Sequence, residues 1–256
     1  MPATIKLARE YGDNLGIILV ESQGATQTAA EKFAWEHKWM GTGAMWTGER
    51  PFATGSRGLP NFALLSAEGK VLLMGNPNSM HGDIKDAIEA EIKKAQGAPD
   101  GSPKSLKKAY TNFAKGKYAK AVAEARKVAA KGGADSEDAE ALAKEFVTRI
   151  EGKFDRVQFL MDQAYLVRAE SMLKDLTKAA KELEEVAEKI ATLEAAFAAE
   201  GMKDEMKAAK LFAKLEDKMK EEGMDEKILK KIAKFVEKNS SMKVAKRAKH
   251  LVSLGS

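Results

Sequence analysis

Residues 97–103 constrain the fold of this chain most strongly, because the sequence pattern changes there. The segment contains two prolines and two glycines, a composition that ends a helix and is typical of a linker. Before it, short β-branched runs alternate with helical patterns, whereas Ala, Lys, Glu and Leu dominate after it. The 256 residues also exceed one typical domain. We therefore predict an α/β domain over residues 1–96, a linker over residues 97–104 and an all-α domain over residues 105–256.

The α/β domain is predicted from alternating strand and helix patterns. Residues 15–20 are apolar and β-branched, which suits a strand buried on both faces. A helix capped by Thr26 or Thr28 follows this strand. A strand–turn–strand hairpin is predicted over residues 62–74, and an amphipathic helix over residues 83–95.

The all-α domain begins with a predicted hairpin of two helices, residues 105–114 and 118–131, which turns at Gly116. After a third helix, one long helix is predicted from residue 154 to about residue 199. Its apolar residues alternate spacings of four and three, as in a coiled coil: Met172, Leu176, Ala179, Leu183, Val186, Ile190, Leu193 and Phe197.

Two arrangements that would bury this apolar seam stay open. A helix over residues 206–220 follows a turn at Gly201, so the favoured arrangement is a long helical hairpin within the chain. The alternative is a homo-oligomer formed through the long helix. Two shorter helices are predicted beyond the hairpin, over residues 225–238 and 241–253.

Charge and cysteine content exclude several functions. The chain has no cysteine, so disulfides, thiolate catalysis and cysteine metal sites are excluded. Its three histidines are far apart in sequence, and no pattern implies a metal or other cofactor. Residues 227–249 carry nine basic residues and one acidic residue, but an apolar stripe interleaves with them, which indicates a solvated helix face. A nucleic acid or a membrane surface is therefore not favoured as a partner.

The compartment stays open. No apolar run is long enough for a membrane helix, and none has the flanking pattern of a signal peptide. Export, to the periplasm or outside the cell, is an open alternative if residue 1 is a boundary rather than the native start, and a cytoplasmic protein is expected otherwise. Trp35 and Trp46 are predicted to belong to the core of the α/β domain.

Three motifs in the first 96 residues resemble the thioredoxin-like family. The strand around residues 17–21 ends in an acidic residue, Gly58-Leu59-Pro60 precedes a strand, and residues 61–74 form a strand–turn–strand. The resemblance implies a cis proline at Pro60. It also implies that the two active-site cysteines of the family would fall at the ends of the stretch Gln27, Thr28, Ala29 and Ala30, where neither is present.

The resemblance implies a binding function without redox chemistry. Disulfide exchange requires a thiolate, whereas an extended peptide needs only backbone groups and a groove. We predict a peptide- or protein-binding or assembly module. Its recognition surface would comprise residues 22–28, with Gln27, Thr28, Ala29 and Ala30, and the segment with Leu59 and Pro60. The alternative is a thiol–disulfide oxidoreductase relative whose cysteines are lost or were replaced.

A second, shorter resemblance lies at the start of the all-α domain. Small and aromatic residues around the predicted turn at Gly116 resemble one tetratricopeptide-type helical hairpin. The resemblance covers about 25 residues and has no second copy at the period of that family. A generic helical hairpin is the favoured interpretation, because one such unit cannot form a solenoid.

Overall fold

The computed structural model describes residues 2–21, 23–40, 43–49, 58–67, 69–95, 97–99 and 101–255, and these residues are predominantly helical. The elements before residue 96 are α1 (Pro2–Tyr11), β1 (Ile18–Glu21), α2 (Gln27–Glu36), β2 (Gly43–Trp46), β3 (Phe62–Leu65), β4 (Val71–Gly75) and α3 (His81–Ala95). The later ones are α4 (Lys107–Ala114), α5 (Tyr118–Ala129), α6 (Ser136–Asp162), α7 (Leu166–Ala180), α8 (Ala187–Ala198), α9 (Met202–Glu222), α10 (Glu226–Lys238) and α11 (Ala245–Leu254).

The chain divides into two compact units. Unit 1 comprises Met1–Asn61 with Asp204–Ser256, and unit 2 comprises Phe62–Lys203. The predicted linker, residues 97–104, falls inside unit 2, so these units are a different division of the chain from the predicted domains. The division into an α/β domain, a linker and an all-α domain stays a prediction.

In unit 1, β1 and β2 pair in parallel, and α2 connects them. The register places Ile18 opposite Gly43 and Glu21 opposite Trp46. A strand, a helix and a second parallel strand form the expected crossover unit. The prediction that the first strand is buried on both faces is wrong, because Ile18 is 65% exposed. β2 is its hydrogen-bonded neighbour in a two-stranded sheet, which leaves much of the strand uncovered.

The C-terminal helices of unit 1 pack around a charged and aromatic cluster. The rings of Phe212 on α9 and Phe235 on α10 stack with centroids 5.5 Å apart. Arg247 on α11 places its guanidinium 5.3 Å from the centre of the Phe212 ring and forms an ion pair with Glu216. The helices predicted over residues 206–220, 225–238 and 241–253 correspond to α9, α10 and α11.

Helix α2 packs against these C-terminal helices in unit 1. Trp35 is only 3% exposed, and Glu31 Oε2 lies 2.8 Å from Nε2 of His250 on α11. Gly223, which follows α9, approaches the end of α2 closely. A Cβ atom at this glycine would lie 3.1 Å from the Glu36 carbonyl oxygen. Residues that are far apart in sequence thus hold the C-terminal half of α2.

In unit 2, β3 and β4 form an antiparallel hairpin with α3 against β4. The Ser66 N–H donates to the Lys70 carbonyl at 2.8 Å across the turn. Glu91 on α3 accepts a 3.3 Å hydrogen bond from the Ala67 N–H, and Ile84 and Ile88 on the same helix are buried. The predicted hairpin and the predicted amphipathic helix are both confirmed.

The helical part of unit 2 contains the same turn twice. Gly116 (φ +68°) lies between α4 and α5, and Ala164 (φ +57°) lies between α6 and α7. In each turn, the N–H of this residue bonds to the carbonyl three residues back, and the next N–H bonds to the carbonyl five residues back. This is the Schellman pattern that ends helices. The predicted hairpin at Gly116 is confirmed.

The prediction of one long helix from residue 154 to about residue 199 is wrong. The turn at Ala164 separates α6 from α7, and extended backbone at Leu183 separates α7 from α8. Five of the eight residues of the apolar seam are nevertheless buried, and the other three are partly exposed: the buried ones are Leu176, Leu183, Val186, Ile190 and Leu193. Short helices that fold back on one another can bury the same apolar residues that one long helix would bury against a partner helix. Self-association through the long helix stays a prediction.

We predict that Gly223→Ala destabilises the protein more than Gly201→Ala does. Both glycines have positive φ, +88° and +80°, which costs an alanine about 1–2 kcal/mol. Only at Gly223 would the new methyl group also crowd α2, whereas nothing lies within 4 Å at Gly201. We expect an additional loss of about 1 kcal/mol for Gly223→Ala, measured by urea unfolding. Equal losses for the two variants would show that α2 does not pack at this position.

Candidate functional site

The first turn of α2 carries the four positions that correspond to the cysteine motif in the resemblance. Thr26 is the N-cap, and its Oγ1 accepts a 3.2 Å hydrogen bond from the Ala29 N–H. The Ala30 N–H bonds to the Thr26 carbonyl at 2.9 Å. The N–H groups of Gln27 and Thr28 have no acceptor among the described residues. The helix therefore presents two free backbone donors beside exposed side chains.

Hydrogen bonds to both neighbouring strands hold the loop before α2. The Trp46 indole N–H at the end of β2 donates to the Ala25 carbonyl at 2.5 Å. Glu21 at the end of β1 accepts a 2.5 Å hydrogen bond from the Gln23 N–H. Trp46 is half-exposed, so its assignment to the core is wrong, whereas that of Trp35 is confirmed. Residue 22, part of the predicted loop, lies outside the described residues.

The segment around Pro60 forms a second exposed feature of unit 1. The Leu59–Pro60 peptide bond is cis. The Asn61 side-chain amide donates to the Gly58 carbonyl at 2.7 Å, which closes a local turn. Leu59 is 58% exposed, and its backbone N–H and carbonyl have no hydrogen-bond partner among the described residues.

Asn61 also leaves an acceptor unsatisfied. Its Oδ1 atom is buried and has no hydrogen-bond partner in the described part of the chain. An unsatisfied buried acceptor carries a desolvation cost. Asn61 is not among the site residues predicted from the sequence. The one sequence signal for it is its position directly after Pro60.

The predicted site residues thus fall into two segments. Gln27, Thr28, Ala29 and Ala30 form the start of α2, and Leu59 and Pro60 belong to the turn before β3. Both segments lie in unit 1. Each exposes backbone groups that lack partners. Their combination into one groove stays a prediction.

Among the described residues, the Thr28 hydroxyl forms no hydrogen bond to a histidine or a carboxylate. The Thr28 hydroxyl would need an adjacent base for activation. The histidine nearest in sequence, His37, lies at the other end of α2. There its Nδ1 atom is 2.9 Å from the Phe33 carbonyl, and its ring stacks on Phe33 at 3.9 Å.

Two shifted carboxyl groups in unit 2 mark structural contacts. A hydrogen bond from Lys108 lowers the pKa of Glu124. The pKa of Glu185 is lowered by a backbone hydrogen bond and by the ion pair with Arg126. The first contact joins α4 to α5, and the second joins α5 to the segment between α7 and α8.

The described residues contain no group of three or more metal-ligating side chains close enough to hold a metal ion. Of the helices in the described ranges, none combines the length and the apolar character needed to cross a membrane.

Comparison of the chain with protein-family models, with curated proteins and with solved structures finds no match.

We predict that Gln27→Cys/Ala30→Cys creates a thiol with a lowered pKa. A thiol in the first turn of a helix is stabilised as thiolate by free N–H groups and the helix dipole. The matched control is Lys231→Cys/Lys234→Cys, which has the same spacing in the middle of α10. Thiolate absorbance against pH should give a pKa about one unit lower for the α2 pair. Equal pKa values would show that the start of α2 has no such effect on a thiol.

Proposed function

We propose that this chain is a redox-inactive, thioredoxin-like protein that binds an extended peptide segment of a partner protein. The order of elements supports the comparison with the thioredoxin-like fold. A parallel β1–α2–β2 unit is followed along the chain by the antiparallel hairpin β3–β4 and by α3. The absence of cysteine removes the thiolate that disulfide exchange requires.

Leu59 carries this proposal. Its side chain is exposed, and its N–H and carbonyl lack partners among the described residues. An extended peptide can supply a carbonyl and an N–H to one such residue, as a neighbouring strand does. Leu59 thus combines an apolar contact with main-chain recognition.

The start of α2 indicates which peptide would fit. The free N–H groups of Gln27 and Thr28 lie at the positive end of a ten-residue helix. Such a helix terminus favours a carboxylate. We therefore expect the ligand to combine an apolar residue, which contacts Leu59, with an acidic side chain or a C-terminal carboxylate.

We predict that Leu59→Asp weakens peptide binding by about tenfold or more, because it removes an apolar contact and repels an acidic ligand. An array of nonapeptides would identify ligands, and fluorescence anisotropy would measure their affinity. The matched control is Leu211→Asp on α9, since Leu211 is 55% exposed and lies in the same unit.

The control variant should retain affinity within about twofold, a difference below 0.5 kcal/mol. Equal weakening by both substitutions would indicate a nonspecific charge effect. Unchanged binding by Leu59→Asp, in a protein that unfolds at the same temperature as the original, would contradict the proposed site.

A further inference from the structure

A charged groove of about 320 Å³ lies on unit 2, outside the proposed peptide site. The start of α5 and the end of α7 form it. Four lysines line it, two from each side of the groove: Lys117, Lys120, Lys178 and Lys181. Asp175 and Glu182 are also part of the lining, so cationic side chains outnumber anionic ones two to one.

Some lysines of unit 2 form ion pairs, whereas others, the four groove lysines among them, form none among the described residues. Lys108 lies 2.6 Å from Glu124, and Lys189 lies 2.6 Å from Asp155. The four groove lysines take part in no ion pair or hydrogen bond of their side chains among the described residues. Like charges held at one groove repel each other, and a bound anion relieves this repulsion.

Three small residues also belong to the lining of the groove, Gly116, Ala119 and Ala179. Small side chains allow the backbone of another chain to approach closely.

We propose that this groove binds an acidic peptide, a segment with several Asp or Glu side chains in succession. Carboxylates spaced along an extended peptide match ammonium groups on both α5 and α7. This site goes beyond the proposed peptide site at Leu59, because it selects charge rather than an apolar residue and lies in unit 2.

The lining favours a peptide over a nucleic acid. Single-stranded nucleic acids are bound by basic grooves with aromatic side chains on which bases stack. The described lining of this groove includes no aromatic residue.

The test is binding of a fluorescein-labelled peptide of ten glutamates to the full chain, followed by fluorescence anisotropy. The groove variant is Lys120→Glu/Lys178→Glu. Its matched control is Lys227→Glu/Lys234→Glu on α10, which changes the net charge equally on another basic surface. Thermal unfolding would check that each variant is folded. A third variant, Asp175→Asn/Glu182→Gln, removes the negative charges of the groove.

We expect the groove variant to bind about tenfold more weakly and the α10 variant to bind within about threefold of the original protein. The Asp175→Asn/Glu182→Gln variant should bind about threefold more tightly. Affinity should fall between roughly 0.05 M and roughly 0.3 M salt, because exposed charges are screened.

Equal weakening by the two lysine variants would overturn the proposal, since it would show general attraction to a basic protein. Absence of saturable binding would also overturn it. Tighter binding of a ten-residue thymidine oligonucleotide than of the glutamate peptide would identify the groove as a nucleic-acid site instead. The groove variant leaves Leu59 and the start of α2 unchanged, so a loss of binding confined to this variant reports on the groove and not on the peptide site.

Discussion

The packing of helix α2 within unit 1 is the constraint on which the candidate site depends. Trp35 is buried and Glu31 contacts His250, so the C-terminal half of the helix is fixed against residues near the other end of the chain. The first turn carries no such contacts, and the N–H groups of Gln27 and Thr28 stay free of partners in the described structure. A rigid helix with an open first turn can present fixed donors to a ligand without losing conformational entropy on binding.

The sequence predicted correctly those elements that depend on residues within one short stretch of the chain. The hairpin β3–β4 has a turn with a glycine between two apolar runs, and the α4–α5 turn contains Gly116, the residue best suited to positive φ. The α6–α7 turn was missed because Ala164 occupies the corresponding position. Alanine favours helices, so this residue gives no sign of a helix end. The apolar periodicity continues across it, and the pattern therefore predicted one long helix.

Long-range contacts had no signal in the sequence. The contact between Glu31 and His250 joins residues that are 219 positions apart, and no local pattern indicates that α11 packs near α2. The candidate positions from Gln27 to Ala30 came from a resemblance, and the exposed first turn is consistent with a binding role. Asn61 and the lysine groove emerged only from side-chain geometry, since burial of one oxygen and convergence of two helices are properties of the folded chain.

The central claim is that a peptide binds at the open end of α2 and at Leu59. The most direct test is an NMR titration of the ¹⁵N-labelled protein with the tightest nonapeptide from the array. The account predicts that the amide signals of Gln27, Thr28 and Leu59 shift progressively and saturate together. Shifts confined to the helices of unit 2, with the signals of these three residues unchanged, would contradict it.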